Sequence, residues 1–174
     1  MGTFKAIGQV KGWARRCAAG LYALSPGYLE ALRGKVIILT YHRVVSKKEL
    51  DAEYIQPGMY VTVETFAMQM RFIKQYFSVI SFAELLRLWS EQQWSLDQRY
   101  CVVTFDDGYS HLDEVVTPVL RRHGYSAVVF VPVSHVGGAN VWDASQPRLF
   151  GTEIMSEDRL RSLALYATAF LRAA

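Results

Sequence analysis

The chain has 174 residues, 51% of them hydrophobic and 20% charged, which suits one globular domain around a single core and excludes disordered and fibrous classes. Its formal net charge of +3 gathers near the start, where Lys5, Lys11, Arg15, Arg16 and Arg33 face only Glu30, and no nucleic-acid-binding motif accompanies that basic segment. Cys17 and Cys101 do not make a disulfide framework, and no run reaches the roughly 18 continuous apolar residues of a membrane span.

Residues 4–24 place Ile7, Val10, Trp13, Ala14, Cys17 and Leu21 at helical spacing, with the basic side chains elsewhere on the wheel. Residues 1–34 are therefore expected to form a basic amphipathic helical segment ahead of a domain over 35–174. Gly8, Gln9, Lys11, Arg15 and Arg16 interrupt its apolar positions, so it makes a poor signal peptide. The expectation is a cytoplasmic protein, with the basic residues reading first as the solvated face of a helix and second as a peripheral contact of residues 1–24 with the inner membrane surface.

Ser25, Pro26 and Gly27 end that helix, and Gly34 releases the chain into KVIILTYH, a β-branched run expected as a buried strand. Residues 46–62, polar and holding Pro57 and Gly58, read as a loop. Phe66, Met70, Ile73 and Phe77 then recur at helical spacing, and SVIS is a short strand. Ser81 with Glu84 predicts a capping box, and Phe82, Leu85, Leu86 and Trp89 form the apolar face of the helix it starts.

Residues 100–105 are a second buried strand, leading into Asp106, Asp107 and Gly108. A helix bearing Val115, Val116, Val119 and Leu120 follows, with Pro118 near its first turn and a stop at His123 and Gly124. SAVVFVPV is another buried strand. Gly137, Gly138, Asn140, Asp143, Gln146, Pro147 and Gly151 mark a long loop, and Ser156, Glu157 and Asp158 open a last helix. Apolar strands alternating with helices predict an α/β fold of parallel strands with right-handed crossovers, as an open sheet or a barrel.

In such folds the working groups gather at the C-terminal ends of strands, where TFDDG sits. Adjacent carboxylates raise each other's proton affinity, so a cation or a proton is expected to resolve their repulsion. Asp-Asp-Gly is also a common turn with a helix cap. Its place directly after a buried strand, with Tyr109, Ser110 and His111 continuing a polar rim, favours a site.

VIILTYHRV, TFAMQMRFIKQYF, SVISFAELL and CVVTFDDGYSHLDEVVTPVLRRHGYSAVVFVPVSHVGG, in that order, resemble the first half of the polysaccharide deacetylase family. Its members share the NodB homology domain and make up carbohydrate esterase family 4. The resemblance runs from about residue 35 to about residue 163. It implies part of a distorted (β/α) barrel, Asp106 as catalytic base, and Asp107 as ligand of a divalent metal, usually zinc. It also implies hydrolytic removal of acetyl groups from a polysaccharide or lipid-linked oligosaccharide, the metal polarising the carbonyl while a carboxylate takes a proton from water.

The family's His-x-x-x-His motif is expected soon after SEDRLRSLA, where this chain reads LYATAFLRAA. The expectation is thus a truncated domain with an incomplete metal site and an uncovered strand edge that favours association. No two of His42, His111, His123 and His135 have the i, i+4 spacing of paired ligands. His42 and His135 at strand ends, with Tyr109, are the candidate substrate-binding residues, and His123 reads as a helix-end cation. His42 is equally readable as a structural histidine. Tyr41, Tyr60, Tyr109 and Trp142 read first as packing residues and second as surfaces for sugar rings. Two other functions stay open: a non-catalytic remnant that binds glycan, and a magnesium-dependent phosphatase, against which the adjacency of the two acids argues.

Overall fold

The computed structural model describes residues 27–52, 55, 58–110, 112–142, 151–164 and 170–173. The chain divides into two units, Met1–Arg33 and Gly34–Ala174. In the first, the described residues form a 3-10 turn, Glu30–Leu32, whose Glu30 pairs with Arg33. The amphipathic helix expected over 4–24, and the membrane contact expected of it, lie outside the described residues. No helix among the described residues is long and apolar enough to cross a membrane.

The second unit is built on β5 (Arg99–Phe105), which β1 (Lys35–Tyr41) pairs in parallel along its whole length, from Lys35 opposite Arg99 to Tyr41 opposite Phe105. Two strands share the other edge of β5. The two-residue β4 (Ser78–Val79) takes Tyr100 and Cys101, and β6 (Val128–Pro132) takes Thr104 and Phe105. β7 (Phe170–Ala173) lies beyond β6, and β2 (Arg43–Val45) pairs separately with β3 (Tyr60–Thr62). Every one of these pairings is parallel, as the alternation of apolar runs with helices predicts, and the described strands do not close into a barrel.

Alternate residues of β1 and β5 face the helices. Leu39, Tyr41, Cys101, Val103 and Phe105 pack with Phe66, Met70 and Ile73 of α2 (Val63–Tyr76). Tyr41, Phe66 and Phe105 form an aromatic trio with ring centroids 5.1 to 5.9 Å apart, and fully burying Phe66 contributes about 2–3 kcal/mol. Thr62 caps α2, its hydroxyl accepting from the Thr65 amide at 3.2 Å. A short α1 (Lys47–Ala52) precedes it, inside the stretch expected as loop.

Three expectations change in detail. KVIILTYH is not buried throughout, because β1 borders the sheet and Ile38, on the face away from the helices, is 55% exposed. On α3 (Phe82–Ser90) the buried residue is Leu88, while Leu86 is 54% and Trp89 77% exposed. The Ser81 cap forms at 3.0 Å, but Glu84 turns to Arg87 instead of back to Ser81, so half of the capping box is present. The helix expected after Gly108 is broken into α4 (Leu112–Val115) and α5 (Thr117–His123). Pro118 has no amide hydrogen to continue α4 and stands instead in the first turn of α5. Gly124 ends α5 in the left-handed conformation, as read from the sequence.

Candidate active site

The ladder between β1 and β5 runs one step past the strands, with the Asp106 amide donating to the Tyr41 carbonyl at 2.8 Å. That step sets Asp106 beside His42, the residue after Tyr41. His42 Nε2 and Asp106 Oδ2 are 3.8 Å apart, with side chains 30% and 34% exposed. The separation is that of a charge pair and is too long for a direct hydrogen bond.

Asp107 and Gly108 follow with φ of 68° and 62°. Two left-handed residues in succession turn the chain sharply at the end of a buried strand. A non-glycine residue held in that region is backbone strain of the kind that clusters at functional sites. Gly108 is required for a second reason, since a Cβ there would stand 2.9 Å from Val131 Cγ2 on β6. Tyr109, next in line, is buried, and the Arg43 guanidinium lies 5.6 Å from its ring centroid. Arg43 is itself buried, so the rim that holds the acids rests on a desolvated cation.

The stretch expected as a long loop supplies the rest of the scaffold. Met155 is hydrogen-bonded on both sides: its amide donates to the Gly108 carbonyl at 2.9 Å and its carbonyl accepts from Gly137 at 3.0 Å. Ile154 pairs with Tyr109 and Glu153 with Ala139, both antiparallel. Ile154 and Met155 have no exposed surface. Asn140, 1% exposed, exchanges backbone hydrogen bonds with this stretch, donating to the Thr152 carbonyl at 2.9 Å, while its Oδ1 accepts from the Thr152 amide at 2.7 Å. Leaving such a buried amide unmatched would cost about 1–3 kcal/mol. The helix that follows the acid turn, α4, is tied to α6 (Glu157–Ala164), whose Arg159 grips both carboxylate oxygens of Asp113 and reaches Glu114. The Asp113 carboxylate raises the Arg159 pKa further.

The residues singled out in the sequence thus fall into three places. Asp106 and His42 meet at one corner of the rim, and Asp107 follows Asp106 in the turn. His135 ends the 3-10 turn Val133–His135 above β6, its Nδ1 2.9 Å from Ser134 Oγ and its ring set against Trp142. Tyr109 lies in the apolar cluster together with Tyr41, whose hydroxyl donates to Gln69 Oε1 at 2.9 Å and whose pKa burial pushes up to about 12. His111 is outside the described residues. Arg43, Ile154 and Met155 carried no signal in the sequence, and Asn140 read only as a loop residue, because their roles come from pairing across the fold. Among the described residues, no three His, Cys, Asp or Glu side chains converge on one point. A zinc ion takes three or four protein ligands, so these residues offer part of a ligand set and do not by themselves fit the ion.

No family model matches the chain, and no curated protein matches it. Solved structures do. A de-N-acetylase from Aggregatibacter actinomycetemcomitans superposes with a TM-score of 0.63 at 18% identity, over 79% of this chain and 53% of that one. IcaB from Ammonifex degensii gives 0.60 at 19% identity, over 79% and 52%. The BpsB deacetylase domain from Bordetella bronchiseptica gives 0.54 at 21% identity, over 78% and 53%. Identities this low bear on the fold alone, and the chain spans about half the length of each of these proteins. Its parallel α/β architecture is accordingly that of part of a polysaccharide-deacetylase-like fold.

Proposed function

We propose that this chain carries the acid-pair half of a metal-dependent carbohydrate deacetylase, a hydrolase that cleaves the carbon–nitrogen bond of acetylated amino sugars in a polysaccharide or lipid-linked oligosaccharide. The observation that supports this reading is the pair Asp106 and Asp107, turned out of the end of β5 by two left-handed residues, in a fold similar to those of de-N-acetylases. In this reading Asp106 is the base. Its ionised carboxylate takes a proton from water as the water oxygen bonds to the acetamide carbonyl carbon. The proton is then delivered to the nitrogen as the carbon–nitrogen bond breaks, which releases acetate and a free amine. His42, 3.8 Å from Asp106, and His135 line the rim against the sugar. Tyr109 supports that rim from below through its contact with Arg43.

Asp107 is the one ligand proposed here for a divalent ion, zinc in the family that the sequence resembles, which when bound would polarise the carbonyl. Calorimetric titration of zinc and cobalt into the full chain tests this, with Asp107→Ala alongside and acetate release from acetylated oligosaccharides as the second readout. Binding that disappears in the variant supports the reading. Equal binding by both proteins, or none by either, refutes the metal role, and the chain is then a non-catalytic, glycan-binding relative.

A further inference from the structure

We infer that the end of the domain opposite the acid turn docks on the surface of an anionic lipid bilayer, with Phe72, Trp89 and Leu96 entering the interface and Arg71, Lys74 and Arg122 meeting the headgroup phosphates. Topology gathers these residues at one end. β4, β5 and β6 run parallel; α2 leads into the start of β4, α5 into the start of β6, and α3 through residues 91–98 into the start of β5. Helix ends that feed parallel strands lie at the starting edge of their sheet, and hydrogen bonds tie that edge together here. Ser78 Oγ donates to Gln98 Oε1, the Gly34 amide to the Gln98 carbonyl and Trp94 Nε1 to the Gly34 carbonyl, each at 2.8 Å. Asp106 and Asp107 leave the other end of the seven-residue β5, about 20 Å away.

This end carries exposed apolar side chains among cations. Trp89 is 77% exposed, Leu96 76% and Phe72 44%, the Phe72 ring being backed by Tyr76 at 4.8 Å between centroids. Burial and the nearby Lys74, Arg71 and Arg122 hold the His123 pKa below its ordinary value, so these cations share one field where α2 and α5 end. Among the described residues no carboxylate pairs with Arg71, Lys74 or Arg122. Lys35 and Arg99 stand opposite each other where β1 and β5 begin, while Glu84 and Glu91 are taken up by Arg87, and Asp97 stands against the excess in the stretch before β5. An indole suited to the boundary between water and hydrocarbon, set among basic side chains, is the composition of an interfacial contact. A second copy of the chain fits this face less well, because a two-fold contact sets cations against cations. A dissolved polyanion would leave Trp89 and Leu96 uncovered. Docked on lipid by this end, the domain turns its acids away from the bilayer.

The test is co-sedimentation of the full chain with vesicles of phosphatidylcholine alone and of phosphatidylcholine mixed with phosphatidylglycerol, read together with quenching of tryptophan emission by brominated lipid. The chain is expected to bind the anionic vesicles, to bind the neutral ones far more weakly, and to be released by salt. Lys74→Glu combined with Arg122→Glu is expected to weaken binding about tenfold or more. Trp89→Phe keeps an apolar ring, so it should still sediment while losing most of the quenching. All three substitutions are at partly or fully exposed positions, and circular dichroism checks that each protein is folded. Equal binding to both kinds of vesicle, or to neither, overturns the inference. So does binding unchanged in the double variant, or quenching unchanged in Trp89→Phe, either of which would move the contact to another part of the chain such as residues 1–24. A chain that ignores vesicles and dimerises, and that Trp89→Lys returns to a monomer, would give the face to a second copy instead.

Discussion

Gly108→Ala is expected to destabilise the fold by about 2–4 kcal/mol, and the two contributions can be separated. Gly108 has φ of 62°, where an alanine costs about 1 kcal/mol relative to glycine. Its new Cβ would also stand 2.9 Å from Val131 Cγ2 and 3.1 Å from Cγ1, and relieving such overpacking costs about 1–3 kcal/mol. Val131→Ala, at a position 7% exposed, is expected to cost about 2 kcal/mol for the methyl groups removed and the space left behind. In the double variant the alanine methyl occupies that space. The steric part then vanishes and the backbone part remains, so the double variant should be about 1–2 kcal/mol more stable than the sum of the single effects predicts. Urea unfolding followed by far-ultraviolet circular dichroism measures all four proteins. Additivity within about 0.5 kcal/mol would show that no clash exists, and with it that the acid turn does not pack on β6 as described.

Two further tests address the core and the surface. Burial raises the Cys101 thiol from the usual value of 9.0 to about 11. The unfolded chain therefore holds fewer protons than the folded one between those values, and stability is expected to fall as pH climbs through that window. Tyr41, whose pKa is raised by burial to about 12, adds to the fall above pH 10. Urea midpoints at rising pH should decline less steeply in Cys101→Ala, and an unchanged slope would show that the thiol ionises freely in the fold. On α3, Trp89→Lys is expected to change stability by no more than about 0.5 kcal/mol, whereas Leu88→Ala should cost about 2–3 kcal/mol. The reverse order in thermal melts would mean that the face bearing Phe82, Leu85, Leu86 and Trp89 is the one buried.

Much of the architecture was legible because its causes are local. The β-branched runs at residues 35–41 and 99–105, the Thr62 and Ser81 caps, Pro118 in a first turn and Gly124 at a helix end act through neighbours within a few residues. So does the placement of Asp106 and Asp107 at a strand end, which needs only the strand and the glycine after it. By itself, then, the sequence determined the main strands and helices, though not the short elements within 46–62 or the strand at 170–173, and it determined that the strands run parallel and which two acids leave the central strand together.

The tertiary structure alone decided which residues meet. His42 reaches Asp106 because Tyr41 stands opposite Phe105, a register set by pairing across more than sixty residues. Met155 and Asn140 were invisible because a glycine-rich stretch shows no periodicity until it bonds to the acid turn. The apolar stripe on α3 was visible, yet which part of it is covered depends on what packs there, and Leu88 won that place. Periodicity records what a segment can bury, whereas register and packing, which sum interactions between distant parts of the chain, determine what it does bury.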